Sequence, residues 1–205
     1  MKTSNYILSA FFIFITVSLL VLFISSKEHH KNDESSFIYK EYSLDNFNVI
    51  VAEDCDTNIQ IRTSDKNYLS INYPKDKSEP EGFYRISNDT LFIYGSICQD
   101  KNIGINDIYV KQLNSVIAKD SRIIRFLNFH SNKLEVNTTN TEIFFDKSSL
   151  EEVILTANAS KITNHETNLT SVIVLLNRKS RFYSRSKHIN KIDLKGDSNS
   201  QINIY

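Results

Sequence analysis

Residues 150–162 read LEEVILTANASKI, and residues 169–182 read LTSVIVLLNRKSRF. Both carry apolar residues at alternate positions (Leu150, Val153 and Leu155; Leu169, Val172 and Val174, with one three-residue step each), cross a polar corner, and resume with a hydroxyl residue, one spacer and a large apolar residue. That closing phrase occurs five times: Ser121-Arg122-Ile123, Thr141-Glu142-Ile143, Ser160-Lys161-Ile162, Ser180-Arg181-Phe182 and Ser200-Gln201-Ile202. Successive copies advance by 20, 19, 20 and 20. A second apolar mark, Val116, Leu134, Val153, Val172 and Ile192, advances by 18, 19, 19 and 20. Alternation is the period of a strand, and a fixed repeat of about twenty residues marks stacked units. One unit cannot bury its own apolar face, so the stack is the folding unit. The expectation is an all-β chain whose C-terminal part, from about Asn106, is a single-stranded β-helix (β-solenoid) of about five rungs. Each rung holds two or three strands, with apolar residues inward. The repeated hydroxyls either satisfy turn amides at a corner or form an outward ladder that binds sugar or ice-like water; the corner role is the better reading.

Composition agrees with strands. β-branched and aromatic residues, which fit a pleated surface, are plentiful, and Trp is absent. Upstream of the repeat, Phe47, Val49 and Val51 alternate, as do Ile59 and Ile61, then Leu69, Ile71 and Tyr73. Pro74–Gly82 holds both prolines and reads as a surface loop. Ser87–Thr90 reads as a hairpin turn before Leu91 and Ile93. No sustained helical periodicity follows residue 36.

Tyr6 to Ile24 is an unbroken run without a charge. A helix of that length spans about 28 Å, close to the hydrocarbon thickness of a bilayer. A cleaved signal peptide would have a shorter apolar core and small residues at its exit; here the run ends in Phe23-Ile24-Ser25-Ser26. The expected organisation is a signal anchor or transmembrane helix over 1–26, a polar juxtamembrane linker over 27–36, and the solenoid domain over 37–205. Lys2 against Lys27 and Lys31 leaves the positive-inside comparison nearly balanced. The short N-terminal tail puts the solenoid outside the cytoplasm, in the periplasm or at the cell surface. His29 and His30 lie in the linker and read as solvated side chains.

The order of motifs resembles a known family. Phe47-Asn48-Val49-Ile50-Val51 opens, Thr90-Leu91-Phe92-Ile93 closes a hairpin, and Asp107–Leu113 leads into the repeated rungs. That order is similar to the head GIN domain family of auto-transporter-adhesin type, common in Bacteroidetes, over residues 37–205. The resemblance implies an exported, right-handed, single-stranded β-helix of surface or envelope proteins, with no catalytic motif. Family members carry Gly-Ser-Gly at the rung corners, where this chain has Lys-Asp-Ser, Asn-Thr, Asn-Ala-Ser, Arg-Lys-Ser and Asn-Ser.

Lys+Arg and Asp+Glu are equal at 24 each, so net charge selects no partner. No Ser-His-Asp order, nucleophile elbow, phosphate-binding loop or zinc-protease motif occurs. Asp146, Glu151, Glu152, Asp193 and Asp197 fall at different phases of the repeat, as do His130, His165 and His188. A polysaccharide-cleaving β-helix is therefore the remotest reading; no enzyme, metal or cofactor is expected. Cys55 and Cys98 either form one disulfide or are two separate small buried residues. Between residues 178 and 195 lie seven cations: Arg178, Lys179, Arg181, Arg185, Lys187, Lys191 and Lys195, with Phe182 and Tyr183 among them. They form either a solvated face or a patch for an anionic ligand. Outside the cytoplasm the ligand would be envelope glycan or lipid rather than nucleic acid. The expected function is a membrane-anchored, non-enzymatic binding or adhesion module of the envelope. The alternative is a structural or regulatory envelope protein acting through protein contacts, including self-association at the solenoid edge.

Overall fold

The computed structural model describes residues 11–25, 36–99, 102–186 and 188–205. Two units divide the chain, Met1–Ile38 and Tyr39–Tyr205. In the first, residues 11–25 form helix α1, with side chains from Phe11 to Ile24 largely exposed. The expected span begins at Tyr6, and residues 6–10 lie outside the described residues, as do the linker residues Lys27, His29, His30 and Lys31. Among the described residues no helix is long and apolar enough to cross a membrane.

The strands, in chain order, are β1 (Phe37–Ser43), β2 (Val49–Glu53), β3 (Asn58–Thr63), β4 (Tyr68–Pro74), β5 (Tyr84–Ser87) and β6 (Thr90–Ile93). A short helix, α2 (Ser96–Gln99), and β7 (Gly104–Val110) follow. The repeat comprises β8 (Ser115–Lys119), β9 (Ile123–Leu127), β10 (His130–Thr139), β11 (Glu142–Asp146), β12 (Ser149–Asn158), β13 (Lys161–His165), β14 (Asn168–Asn177), β15 (Arg181–Arg185), β16 (His188–Gly196) and β17 (Gln201–Ile204). Two sheets result. The nine-stranded sheet runs β1-β4-β7-β3-β9-β11-β13-β15-β17, and the eight-stranded one runs β16-β14-β12-β10-β8-β2-β6-β5. Each rung gives one strand to each sheet, and successive rungs pair in parallel. From β8–β9 to β16–β17 there are about four turns, bounded by five strand pairs, where the sequence suggested about five rungs.

A further rung belongs to the stack. β2 pairs in parallel with β8, and β3 with β9, so β2 and β3 precede the β8–β9 rung in space although all of 64–114 lies between β3 and β8 along the chain. The intervening segment covers that end. β4 pairs antiparallel to β7, and β5 antiparallel to β6. At the other end Ile202 and Ile204 are 38% and 48% exposed, whereas their register partners in β15, Phe182 and Ser184, are buried.

Inside, equivalent positions form apolar columns. Ile59, Ile124, Ile143, Ile162 and Phe182 are at most 1% exposed and sit in mutual register. In β9 the column passes through Ile124, and Ile123 faces outward, because the corner before β9 is one residue longer than the next. Likewise Val116 stacks on Val136, not Leu134. A slip of two positions keeps a side chain on the same face, so alternation alone could not separate these registers.

The corner hydroxyls are inside. Ser121, Thr141, Ser160 and Ser180 are buried. The amides of Ser121, Thr141 and Ser160 each donate to the hydroxyl of the next rung, at 3.2 Å. Thr141 and Ser160 donate in turn to Thr139 and Asn158 carbonyls at 2.9 and 2.8 Å. Ser200 departs from the set: its hydroxyl donates to Asp197 Oδ1, at 2.7 Å. A second ladder occupies the opposite corner, where Phe129 N donates to Ser148 Oγ and Ser148 N to Thr167 Oγ1.

Before each hydroxyl the backbone turns through the left-handed region. Asp120, Asn140 and Ala159 have φ of 48–49°, and Asn128, Lys147 and Glu166, at the other corner, 50–51°. For most L-residues this region costs about 1–2 kcal/mol. Asp and Asn reduce that cost with local side-chain bonds, as in Asn140 Nδ2 donating to Asp120 Oδ1 at 2.7 Å. Lys147 has no such recourse. Upstream, Asp54 (φ 53°) precedes Cys55. Glu53 is in register with Lys119, so counting two positions on from each places Cys55 opposite Ser121, at the head of the hydroxyl column. Cys55 is joined by a disulfide to Cys98 of α2, 43 residues away. The bond ties the first rung to the segment that covers it.

Three stability changes are expected in equilibrium urea unfolding. Ser160→Ala leaves the buried Thr141 amide without its acceptor and lowers stability by about 1–3 kcal/mol. Lys147→Gly relieves the left-handed strain against a smaller loss of unfolded-chain entropy, for a net gain of about 0.5–1 kcal/mol. Reduction of the Cys55–Cys98 bond lowers stability by about 4 kcal/mol, from the loop it closes.

Candidate functional site

On the outer face of the nine-stranded sheet the columns carry chemistry that the core does not use. One reads Glu142, Lys161, Arg181, Gln201 from β11 to β17; a second reads Phe144, Thr163, Tyr183, Asn203. A third begins Asp146, His165, Arg185. Strand alternation puts Arg181, Tyr183 and Arg185 on this face, with Phe182 and Ser184 buried beneath them. Together with Tyr205 they border a groove of about 620 Å³ whose floor includes Phe144 and Thr163. Beside it a groove of about 500 Å³ follows the corner and contains Arg122, Lys179, Lys161 and Arg181.

Charge is distributed as a gradient across these strands. The acidic residues lie toward the middle of the stack and are engaged: Glu142 with Lys161 at 3.6 Å, Asp146 with His165 Nδ1 at 3.3 Å. Among the described residues Lys179, Arg181 and Arg185 have no acidic partner within 4.0 Å. The aromatic rings differ in the same way. Arg125 and Lys161 stand 5.4 and 5.8 Å from the Phe144 centroid, and Arg185 stands 5.5 Å from that of Tyr205. Tyr183 has no ring or cation against it among the described residues.

Below this face, Asn164 occupies an inward position and donates to Ser184 Oγ at 3.1 Å and to Ser186 Oγ. The oxygens Thr163 Oγ1 and Asn164 Oδ1 are buried without a hydrogen-bond partner. At the corner between β16 and β17, Asp197 accepts from the Ser200 hydroxyl and from the amides of Asn199 and, in the preceding rung, Arg178. These donors, the Ser200 hydroxyl first, hold its carboxyl below the usual aspartate range.

The seven expected cations are thus not one patch. Arg181 and Arg185 share the nine-stranded face, Arg178 and Lys179 occupy the corner, and Lys191 and Lys195 point outward from the eight-stranded sheet. Lys195 lies 3.9 Å from Asp193. Lys187 is outside the described residues. Of the two aromatics read with the patch, only Tyr183 reaches the surface; Phe182 is core. Phe144 and Thr163 were missed as companions of Tyr183. The signal that could have found them is the repeat itself, since one rung's length of chain leads from each of the three to the next. The candidate carboxylates are dispersed: Glu151 and Glu152 belong to β12 and Asp193 to β16, on the other sheet from Asp146. Among the described residues no group of three or more His, Cys, Asp or Glu could hold a metal ion.

No family model matches the chain, so the resemblance to the head GIN domain family rests on motif order alone. No curated protein matches either. Several solved structures are similar in fold. One is described as a "putative adhesin" from Bacteroides fragilis, with 14% identity and a TM-score of 0.45, covering 83% of this chain and 98% of that one. Another "putative adhesin", from Parabacteroides distasonis, shows 9% identity and a TM-score of 0.45, covering 82% and 97%. A "putative cell adhesion protein" from Clostridium sporogenes shows 10% identity and a TM-score of 0.40, covering 82% and 98%. Those descriptions belong to those proteins.

Proposed function

We propose that this chain is a non-enzymatic binding module of the cell envelope that holds an anionic ligand on the outer face of its nine-stranded sheet. The observation that carries the reading is the pair Arg181 and Arg185, exposed and without acidic partners among the described residues, bordering a groove whose one acidic side chain, Glu142, is already paired with Lys161. Cations left unpaired on a rigid sheet attract anions without having to break existing ion pairs. Sheet strands fix their spacing better than a loop would. Lys179, at the corner, extends the positive surface beyond β15.

In this reading the uncharged run Tyr6–Ile24 is a signal anchor, and the solenoid stands outside the cytoplasm. The support for the anchor is the length and apolarity of the run in the sequence.

The test is a charge reversal. Arg178, Arg181 and Arg185 all changed to Glu should abolish retention of the chain on isolated envelope material. The unmodified chain should be retained at low ionic strength and released as salt rises, because exposed charges are screened within about 10 Å at 0.1 M. The circular dichroism spectrum should be unchanged, since none of the three side chains enters the core. Undiminished retention of the triple variant would dispose of the reading.

A further inference from the structure

The ligand class can be narrowed by the ring between the two arginines. We propose that β15 binds an acidic glycan, one sugar ring lying on Tyr183 while carboxylates on the sugars to either side pair with Arg181 and Arg185. This deepens the anionic-ligand reading and rests on it.

Arg181, Tyr183 and Arg185 occupy alternate positions of one strand, so neighbouring members have Cα atoms about 7 Å apart and the outer two about 13 Å apart. A ring flanked on both sides by cations at that spacing matches a chain that alternates flat units with carboxylates. The apolar face of a pyranose presents polarised C–H groups, and the negative face of an aromatic ring attracts them. Among the described residues no cation covers the ring of Tyr183, whereas Phe144 and Tyr205, the other groove aromatics, are already so engaged. Guanidinium suits the flanking groups because its planar fork meets a carboxylate through two parallel hydrogen bonds. Thr163, the register partner of Tyr183 on the neighbouring strand, has a hydroxyl oxygen without a partner. Rotation about its Cα–Cβ bond to another staggered well would turn it toward a sugar hydroxyl.

Other anionic surfaces fit less well. The positive track is one strand wide: two strands away, in the same columns as Arg181 and Arg185, stand Glu142 and Asp146. A bilayer surface broad enough to touch both arginines would meet those carboxylates as well. A polyphosphate has no ring face, so it would gain nothing from Tyr183.

The experiment is calorimetric titration of the full chain with a hexasaccharide alternating glucuronate and a neutral sugar. Parallel arms use a neutral hexasaccharide of the same length, inorganic polyphosphate, and phosphatidylglycerol vesicles. The acidic hexasaccharide should bind and the neutral one should not. Tyr183→Ala should weaken binding about tenfold, equal to one decade in the dissociation constant, and Tyr183→Phe should retain it, because stacking needs the ring and not the hydroxyl. Arg181→Gln with Arg185→Gln should remove it. Absence of binding to the acidic hexasaccharide, or indifference to Tyr183→Ala, overturns the glycan assignment. If polyphosphate or vesicles then still bind through Arg181 and Arg185, the broader anionic reading survives alone. If no anion depends on those arginines, both fall.

Discussion

One hydrogen bond, repeated, holds the rungs in place: at three successive corners the amide of one rung donates to the buried hydroxyl of the next. The amides of Ser121, Thr141 and Ser160 would otherwise be orphaned inside a dry corner, where an unsatisfied backbone group costs as much as the net gain of several good bonds. Only Ser or Thr at a defined place in the following rung can answer them. Hydrophobic columns would tolerate a slip of two positions along a strand, but the ladder does not. It therefore sets the register in both sheets, and with it which side chains share a column on the outside. Arg181, Tyr183 and Arg185 face the groove because Ser180, immediately before them, is locked into the corner.

The corners also show how this chain solves a turn without glycine. The left-handed conformation recurs at both corners, filled by Asp, Asn, Ala, Arg, Lys and Glu. Asp and Asn stack over one another and bond; the others bear the strain. A stack can carry such positions because each rung is held on two sides by parallel strands, so the local cost is spread over the pairing of whole strands.

Much of this was legible in the sequence, for identifiable reasons. The regular period and the alternation led to parallel rungs with Ile143, Ile162 and Phe182 inside, and the hydroxyls at the corner. The first rung was not legible, since Cys55 heads the column in place of a hydroxyl and the next member, Ser121, comes only after the whole covering segment. Nor was the inward Asn164–Ser184 pair, which breaks the apolar pattern of its column. In the run Val172–Leu176 apolar residues stand at every position, so Ile173 and Leu175 lie on the outer face while Val172, Val174 and Leu176 are buried. The candidate site was half visible. Charge clustering in the sequence pointed at seven cations, but adjacency in sequence crosses a corner between β15 and β16, and the two sheets send those residues in opposite directions. The partners of Tyr183 lay one and two periods upstream, where linear proximity does not look.

The displaced first rung gives the molecule an order of assembly. Between β8 and β17 every strand meets a partner one period away, so each closure is short and each new rung finds its template already formed. β2 and β3 must instead wait for β8 and β9, across a gap several periods long into which the covering strands are folded. The slow step of folding therefore sits at the N-terminal end of the stack, and the fast one in the repeat that carries the groove. The covalent tie between Cys55 and Cys98 lies wholly inside that slow segment. Formed early, it shortens the one long closure the chain must make; formed late, it seals a topology already reached.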